Sequence, residues 1–381
     1  MRKIFINGFK SKTGGGKSIL SNYINLLKTT QTSDKYIVLV PCKSEYNEFI
    51  TENISIIELS KVCNKNIFSP IINHFILPRL IKKHNIDLIF NLGDIIIPTY
   101  VPQLYLFDWP YAVYPDSIVW QKMDFQDYVN RKIKLFFFRI YLKYASVVIA
   151  QTETMKNKLE SIYGLKNLVI IPNAVSLENM NGGDFFDFSL PKDKIKFLYL
   201  THYYVHKNIE IFLILARKIK AASLPYCLVV TLEPSQHKNA KQFLASVETE
   251  GLNDIIINVG AVSMPHVPSL YSQIDALLMP TLLESFSGTY VEAMFHEKTI
   301  LTSSFDFAKD VCGAAAFYFD PVNVDSIFDT IQIAFTNDEL RNDKINEGNR
   351  LLTNLPNWPK VFSLYQELFK TLDSLNSPKP L

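Results

Sequence analysis

Two carboxylates separated by seven residues, in Glu284-Ser-Phe-Ser-Gly-Thr-Tyr-Val-Glu292, are the side chains whose type and spacing speak most directly of chemistry. The preceding Asp275-Ala-Leu-Leu-Met-Pro280 reads as a buried strand and Tyr290 to His296 as a helix, which leaves Ser285, Phe286, Ser287, Gly288 and Thr289 as the loop between them. Such a loop feeds a helix N-terminus, where backbone N–H groups without intrahelical partners and the helix dipole favour a diphosphate. Glu292, in the second turn, can accept hydrogen bonds from a ribose diol; Glu284, at the exit of the strand, can accept them from the hydroxyls of a sugar. Two glutamates at this spacing also occur by chance on solvated helices. Here an apolar strand precedes them, and Thr299-Ile-Leu-Thr-Ser-Ser304 and Ala316-Phe-Tyr-Phe-Asp-Pro321 follow as further strand candidates.

The elements that must position these groups follow one rhythm. Short β-branched runs at Ile4 to Ile6, Tyr36 to Val40, Ile54 to Leu59, Asp87 to Phe90, Gln103 to Phe107, Val147 to Ala150 and Leu168 to Ile171 alternate with longer stretches. Two of these, Lys17 to Lys28 and Pro70 to His84, read as helices. Strands alternating with helices predict a mostly parallel sheet covered on both faces. Pro172-Asn173 breaks the pattern and Ser176 to Asp193 reads as a linker. The rhythm then restarts at Ile195 to Leu200, Leu228 to Leu232, Ile255 to Val259 and Ala276 to Met279. Two α/β domains are therefore expected, 1–173 and 174–357, with a cleft between them. Ligands of open α/β sheets bind beyond the carboxyl ends of the strands, where the motif loops fall. A last helix is expected over Val361 to Leu372, after Pro356 and Pro359, with Ser374 to Leu381 as a frayed tail.

The stretch from Asp275 to Pro321 resembles the retaining glycosyltransferases of family four (glycosyl transferases group 1), which carry a Glu-x7-Glu motif. The resemblance implies the α/β GT-B fold, two Rossmann-like domains facing across a cleft, with a helix at about 358–373 crossing back onto the first domain. It covers most of the second domain and is looser in the first. Thr201-His-Tyr-Tyr-Val-His-Lys207-Asn resembles the family loop in which an Arg and a Lys five residues apart hold the donor diphosphate. Lys207 matches the Lys. His202 stands where the Arg is usual, and a neutral imidazole lacks the fixed charge and fork of a guanidinium. Either His202 is protonated beside the phosphates, or the site relies on Lys207 and the helix N-terminus. Gly260-Ala-Val262-Ser resembles the loop whose backbone borders the nucleotide base, a recognition mode that leaves UDP, GDP and ADP donors undistinguished.

Gly14-Gly15-Gly16-Lys17-Ser18 invites a Walker A reading but has Ser11 at the first glycine position. The resemblance implies instead that Gly15 and Gly16 belong to a Gly-rich turn letting backbone approach the donor, with a purely structural turn as the alternative. Relatives place a His near Leu104-Tyr-Leu-Phe-Asp108-Trp109-Pro-Tyr111; this chain has Phe107 or Asp108 there, so no His role carries over. Asp108 can hydrogen-bond an acceptor hydroxyl or the donor sugar, and Trp109 and Tyr111 can cover a sugar face, or all three can be strand-end core and cap residues. No Asp-x-Asp triplet occurs, and the family generally works without a metal. No metal and no cofactor are expected beyond the nucleotide-sugar co-substrate.

The formal net charge of +2, from 39 Lys and Arg against 37 Asp and Glu in 381 residues, excludes a dedicated nucleic-acid binder. Cys42, Cys63, Cys227 and Cys312 form no CxxC pair, which fits a reducing cytosol; no signal peptide or membrane-spanning run is expected. His74, His237 and His266 have no partners at metal-ligand spacing. Residues 130–144 mix cations and aromatics at helical spacing. With Arg79, Lys82 and Lys83 they offer a peripheral contact to the inner face of a membrane, or simply an amphipathic helix with solvated cations. The expected function is a retaining, metal-independent transfer of a sugar from a nucleotide diphosphate donor to a glycan or lipid-linked glycan (EC 2.4), in cell-surface polysaccharide assembly. Catalytic roles fall on Lys207, Glu284 and Asp108. Donor contacts fall on Gly15, Gly16, His202, Val262, Ser285, Phe286, Ser287, Gly288, Thr289 and Glu292. The alternatives are a sugar-nucleotide hydrolase or epimerase and a non-catalytic nucleotide-sugar-binding subunit.

Overall fold

The computed structural model describes residues 1–12, 14–60, 63, 68, 71–93, 95–180 and 185–376. Its first sheet is wholly parallel: β1 (Lys3–Asn7), β2 (Lys35–Val40), β3 (Ile54–Glu58), β4 (Leu88–Asn91), β5 (Gln103–Leu106), β6 (Val147–Ala150) and β7 (Leu168–Ile170), in the order β3-β2-β1-β4-β5-β6-β7. The second sheet, also parallel, holds β8 (Ile195–Tyr199), β9 (Tyr226–Val230), β10 (Ile256–Asn258), β11 (Ala276–Met279), β12 (Thr299–Ser303) and β13 (Ala316–Phe319), ordered β10-β9-β8-β11-β12-β13. All four residues of β4, β5 and β11 are buried, as strands covered on both faces must be.

Two compact units result. One comprises Met1–Pro115, Asp124–Ala174 and the chain from Pro356; the other comprises Asp116–Met123 and Val175–Leu355. The return of the chain to the first unit is made by the helix Trp358–Asn376. Its Val361, Tyr365, Phe369 and Leu372 are buried, at the helical spacing of one face. They join the core of the first unit, where Phe90 lies 4.8 Å from Tyr365 and 5.8 Å from Phe369 between ring centroids, and Tyr23 lies 5.1 Å from Phe362. The Gln366 amide donates to the Tyr23 hydroxyl at 2.9 Å. The helix runs on through the Ser374–Asn376 expected to fray, and 377–381 lie outside the described residues.

Among the boundaries that differ from the sequence expectation are three helix starts. The first helix begins at Gly14 rather than Lys17, so the glycines form its opening turn. The helix expected from Pro70 is a π-turn over Ile72–Ile76 that passes into an α-helix, Leu77–His84. Pro78 lacks the N–H that an α-helix would direct at the His74 carbonyl, and the preceding turn is widened. The helix expected at Tyr290 begins at Gly288, which puts Gly288 and Thr289 in its first turn rather than in the loop.

Candidate active site

In the second sheet the strand order reverses between β8 and β11, since β8 leads outward to β9 and β11 outward to β12. In an open α/β sheet, loops leaving adjacent strands on either side of such a switch point diverge and leave a crevice at the carboxyl ends. The loop after β8 carries His202 and Lys207; the loop after β11 carries Glu284 to Ser287.

These two loops are laced together. Leu282 N–H donates to the His206 carbonyl at 2.7 Å, and the Asn208 amide donates to the Pro321 carbonyl at 2.8 Å from a left-handed backbone (φ 55°) that Asn tolerates. The Tyr199 hydroxyl donates to the Lys207 carbonyl at 3.0 Å, and the Ser303 hydroxyl to the Thr281 carbonyl at 2.5 Å. On this frame the Lys207 ammonium donates to Glu284 Oε1 at 2.5 Å, and the Thr281 hydroxyl reaches the same oxygen at 2.9 Å. Only 13% of the Lys207 side chain and 11% of that of Glu284 are exposed, so each charge depends on the other for compensation. Among the described residues both of these bonds go to Oε1, and Oε2 of Glu284 can accept from a ligand hydroxyl.

Ser285, Phe286 and Ser287 lead from Glu284 into the helix Gly288–Phe295, with Ser285 and Ser287 buried. The side chain of Ser287 does not cap that helix, and its carbonyl takes the Tyr290 N–H at 3.2 Å, so the N–H groups of Gly288 and Thr289 are the first-turn donors suited to a ligand. Glu292 lies on the second turn. Its carboxyl is enclosed by protein although the residue as a whole is only half-buried, and burial pushes its pKa up to about 7 against a smaller downward pull from the Tyr271 hydroxyl. That hydroxyl lies 3.2 Å from Glu292 Oε2, and its ring stacks on His296 at 4.8 Å.

His202, half-buried, contacts the Gln236 amide through Nδ1 at 2.8 Å. Val262 is half-buried in the loop after β10, whose shape depends on Gly260 at φ +73° and on Glu233, which accepts from Ala261 N–H at 2.9 Å. A Cβ at Gly260 would sit 3.1 Å from Glu233 Oε1, so both its backbone angle and its surroundings favour glycine.

Of the expected first-unit residues, Gly15 faces open space, and Gly16 packs by the Ser11 side chain, whose buried hydroxyl has no hydrogen-bond partner among the described residues. The Lys17 ammonium, which a Walker A reading would direct at phosphate, instead pairs with Glu45 at 2.6 Å. Asp108 is half-buried after β5, between the buried Phe107 and Trp109. Of the two alternatives for Trp109 and Tyr111, sugar-covering surface or strand-end core, their burial fits the second: they are 6% and 3% exposed. Their ring faces are taken by Lys134 and Arg131, each 4.1 Å from a centroid.

Sequence reasoning named Lys207, Glu284 and Glu292 as candidates but did not name the residues that contact them or their neighbours: Thr281, Asn208, Tyr271, Gln236 and Glu233. Gln236 carried no spacing signal, because it is the pairing of β8 with β9 that brings it to His202.

Residues 183–351 match the family model of glycosyl transferases group 1. That span includes His202, Lys207, Val262, Glu284 and Glu292. The O-antigen chain mannosyltransferase RfbU of Salmonella typhimurium (strain LT2) is 26% identical over 211 residues, 55% of this chain. The match covers about half the length of that relative, 53%. Among solved structures, the sucrose-phosphate synthase of Thermosynechococcus elongatus superposes with a TM-score of 0.76 at 14% identity, over 99% of this chain and 100% of that one. The fold is GT-B. Anabaena Alr3699/HepE, solved in complex with UDP-glucose, gives a TM-score of 0.69 at 13% identity, over 98% of this chain and 100% of that one. The expected GT-B fold is borne out by these likenesses, and the match of residues 183–351 and the names of the relatives support the expected enzyme class, glycosyltransferase.

Proposed function

We propose that this chain is a retaining, metal-independent glycosyltransferase that moves a sugar from a nucleoside diphosphate to a glycan or lipid-linked glycan in cell-surface polysaccharide assembly. The observation that carries this reading is the Lys207–Glu284 pair held at the strand-order switch point, one short loop away from an uncapped helix N-terminus. As the bond to the donor's terminal phosphate breaks, negative charge grows on that phosphate. The Lys207 ammonium and the N–H groups of Gly288 and Thr289 are the groups of this unit suited to stabilise it. Glu284 Oε2 takes hydroxyls of the transferred sugar, and Glu292 takes the ribose diol. Glu284 is assigned to binding, not to attack: its Oε1 is engaged by both Lys207 and Thr281, which stabilise the carboxylate and make it a poor nucleophile. Departure and attack on one face of the sugar, with retention, suit a site whose carboxylate is tied down in this way.

The match to an O-antigen mannosyltransferase supports polysaccharide assembly as the setting and makes a mannosyl nucleotide a donor to test early. A cytoplasmic protein at the inner face of the membrane fits the first unit. The helix Phe125–Tyr141 buries Leu135, Phe138 and Tyr141 but exposes Phe125, Ile133, Phe136 and Ile140 among its cations. His74, in the π-turn, contacts Phe137 at 4.5 Å, which brings the exposed Phe75 and the Arg79 stacked over it into the same neighbourhood. Apolar side chains beside cations suit the interface of an anionic bilayer. Among the described residues no helix is long and apolar enough to cross a membrane.

The test is release of nucleoside diphosphate from UDP-, GDP- and ADP-sugars, with EDTA, in the presence and absence of lipid-linked glycan acceptors. Acceptor-dependent release with an α-linked product from an α-linked donor is expected. Release that needs no acceptor would replace transfer with hydrolysis, and binding without release would replace it with a non-catalytic subunit.

A further inference from the structure

The Gln236 amide has a fixed orientation. Tyr203 N–H donates to Gln236 Oε1 at 2.9 Å, so the NH2 group is the side that faces His202 Nδ1 at 2.8 Å. An NH2 group can only donate there, and the ring nitrogen it meets must therefore accept. Turning the amide over would set its NH2 group against Tyr203 N–H. The surroundings hold the arrangement in place: Gln236 N–H donates to the Glu233 carbonyl at 3.1 Å, and Thr201 N–H donates to the Thr231 hydroxyl at 2.9 Å, which ties the loop after β8 to the end of β9. Tyr203 is itself fixed, by a bond from its hydroxyl to Glu210 and by stacking on His237 at 5.0 Å. The charged or titratable groups on these elements include Glu210, Glu233 and His237, and Lys207, which pairs with Glu284. Glu210 is taken by the Tyr203 hydroxyl, Glu233 by Ala261 N–H, and His237 by Asn239 N–H at its own Nδ1.

We propose that Gln236 is a positioning residue that locks His202 in the neutral Nε2–H form, so that the loop after β8 offers a ligand an uncharged N–H donor in place of a cation. Of the two alternatives the sequence left open, protonated His202 or reliance on Lys207 and the helix N-terminus, the lock selects the second and adds a directional donor to it. This rests on the nucleoside diphosphate reading of the second unit only for the identity of the ligand. The lock itself is a property of the protein without ligand. Its consequence is specificity by geometry: the charge on a bound diphosphate is met by Lys207, while His202 fixes an oxygen in direction.

The test is a long-range 15N–1H spectrum of the histidines at pH 7, with the His202 signals assigned by their loss in His202→Asn. The expected result is a protonated Nε2 and a bare Nδ1 in the wild type. In Gln236→Glu, whose carboxylate accepts instead of donating, the proton is expected to move to Nδ1 or to occupy both nitrogens. Gln236→Leu serves as a second variant, in which the tautomer preference is lost while folding is retained. A wild-type ring that carries its proton on Nδ1, or on both nitrogens, overturns the proposal. Titration with UDP and GDP then separates the two readings. In wild type the His202 Nε2–H signal is expected to move on saturation with at least one of them. A locked tautomer whose signals no nucleotide moves would leave the lock standing and overturn the ligand assignment alone.

Discussion

Glu292 combines two demands that oppose each other. Its enclosure raises its pKa to about 7, whereas the ribose diol proposed to donate to it would favour the charged form. A carboxyl whose folded pKa lies above its ordinary value holds a proton in the folded state that the unfolded chain has already released. Glu292 therefore favours folding less and less as pH rises from about 4.5 to about 7, and the loss is complete above that window. Glu292→Gln is expected to be stabilised relative to wild type at pH 8 by on the order of 1–3 kcal/mol, with the difference shrinking toward pH 5, in urea melts at the two pH values. The same variant should bind nucleotide more weakly above pH 7 and show a flatter pH profile. Equal melts at both pH values would refute the enclosed carboxyl. Lys207 and Glu284 form the other coupled pair. Lys207→Met alone should slow turnover by about 10²–10³-fold if it stabilises the departing phosphate. It should also destabilise the fold by roughly 3–5 kcal/mol by stranding a buried carboxylate, and Glu284→Gln in the same chain should restore most of the stability and none of the turnover. Lys207, Glu284 and Glu292 were legible in the sequence because each sits at a fixed offset from a strand exit. Thr281, Gln236 and Tyr271 were not, because their roles come from which strands and helices become neighbours. Trp109 and Tyr111 were ambiguous because an aromatic at a strand end reads alike whether a sugar or, as here, a lysine and an arginine cover it.

The loops after the strands do the work that the strands make possible. Every strand of the second sheet was visible as a short apolar run, but β9 runs from Tyr226 rather than Leu228, because Tyr226 and Cys227 pair with Ile195 and Lys196 of β8. Pairing, not local composition, sets that edge. The loop after β10 was recognised only by its glycine. Gly260→Ala places a side chain at φ +73° and within 3.1 Å of the Glu233 carboxylate that shapes the loop. The backbone strain alone is about 1–2 kcal/mol. Loss of nucleotide affinity is expected, with a fall of several degrees in melting temperature from the strain and no loss of the folded state; unchanged affinity, read by calorimetry, would remove this loop from the site. The first helix and the helix bearing Glu292 both begin earlier than their apolar patterns announce, at Gly14 and Gly288. Glycine carries no amphipathic signal, so periodicity locates the body of such a helix and misses its first turn.

For the whole molecule, the two-sheet organisation followed from the strand rhythm and from the linker between Ser176 and Asp193. The membership of Asp116–Met123 in the second unit did not, since a short helix, Val119–Lys122, carries no composition break. The helix Trp358–Asn376 is part of the first unit's core. Truncation before Pro356 would expose the partners of Trp358, Val361, Phe362, Tyr365, Phe369 and Leu372. At ~1.5–3 kcal/mol for each buried side chain, the loss is comparable to the ~5–15 kcal/mol that holds a domain together. The truncated chain should be insoluble or molten by near-UV circular dichroism, and a native spectrum would contradict the assigned packing. Cosedimentation with vesicles rich in anionic lipid should fall in a Phe125→Ser, Phe136→Ser variant and persist in neither variant nor wild type on neutral vesicles; binding that ignores both changes would remove the first unit's exposed face from the account. The central claim is that the second unit binds a nucleoside diphosphate through Lys207 and the N-terminus of the helix Gly288–Phe295. Calorimetric titration of UDP, GDP and ADP into wild type and into the Lys207→Met, Glu284→Gln double variant, with EDTA throughout and again with Mg²⁺, tests it most directly. The account predicts metal-independent binding of at least one of the three by wild type, weakened at least tenfold in the double variant. No binding of any of them by wild type, or binding that the double variant keeps, would contradict it.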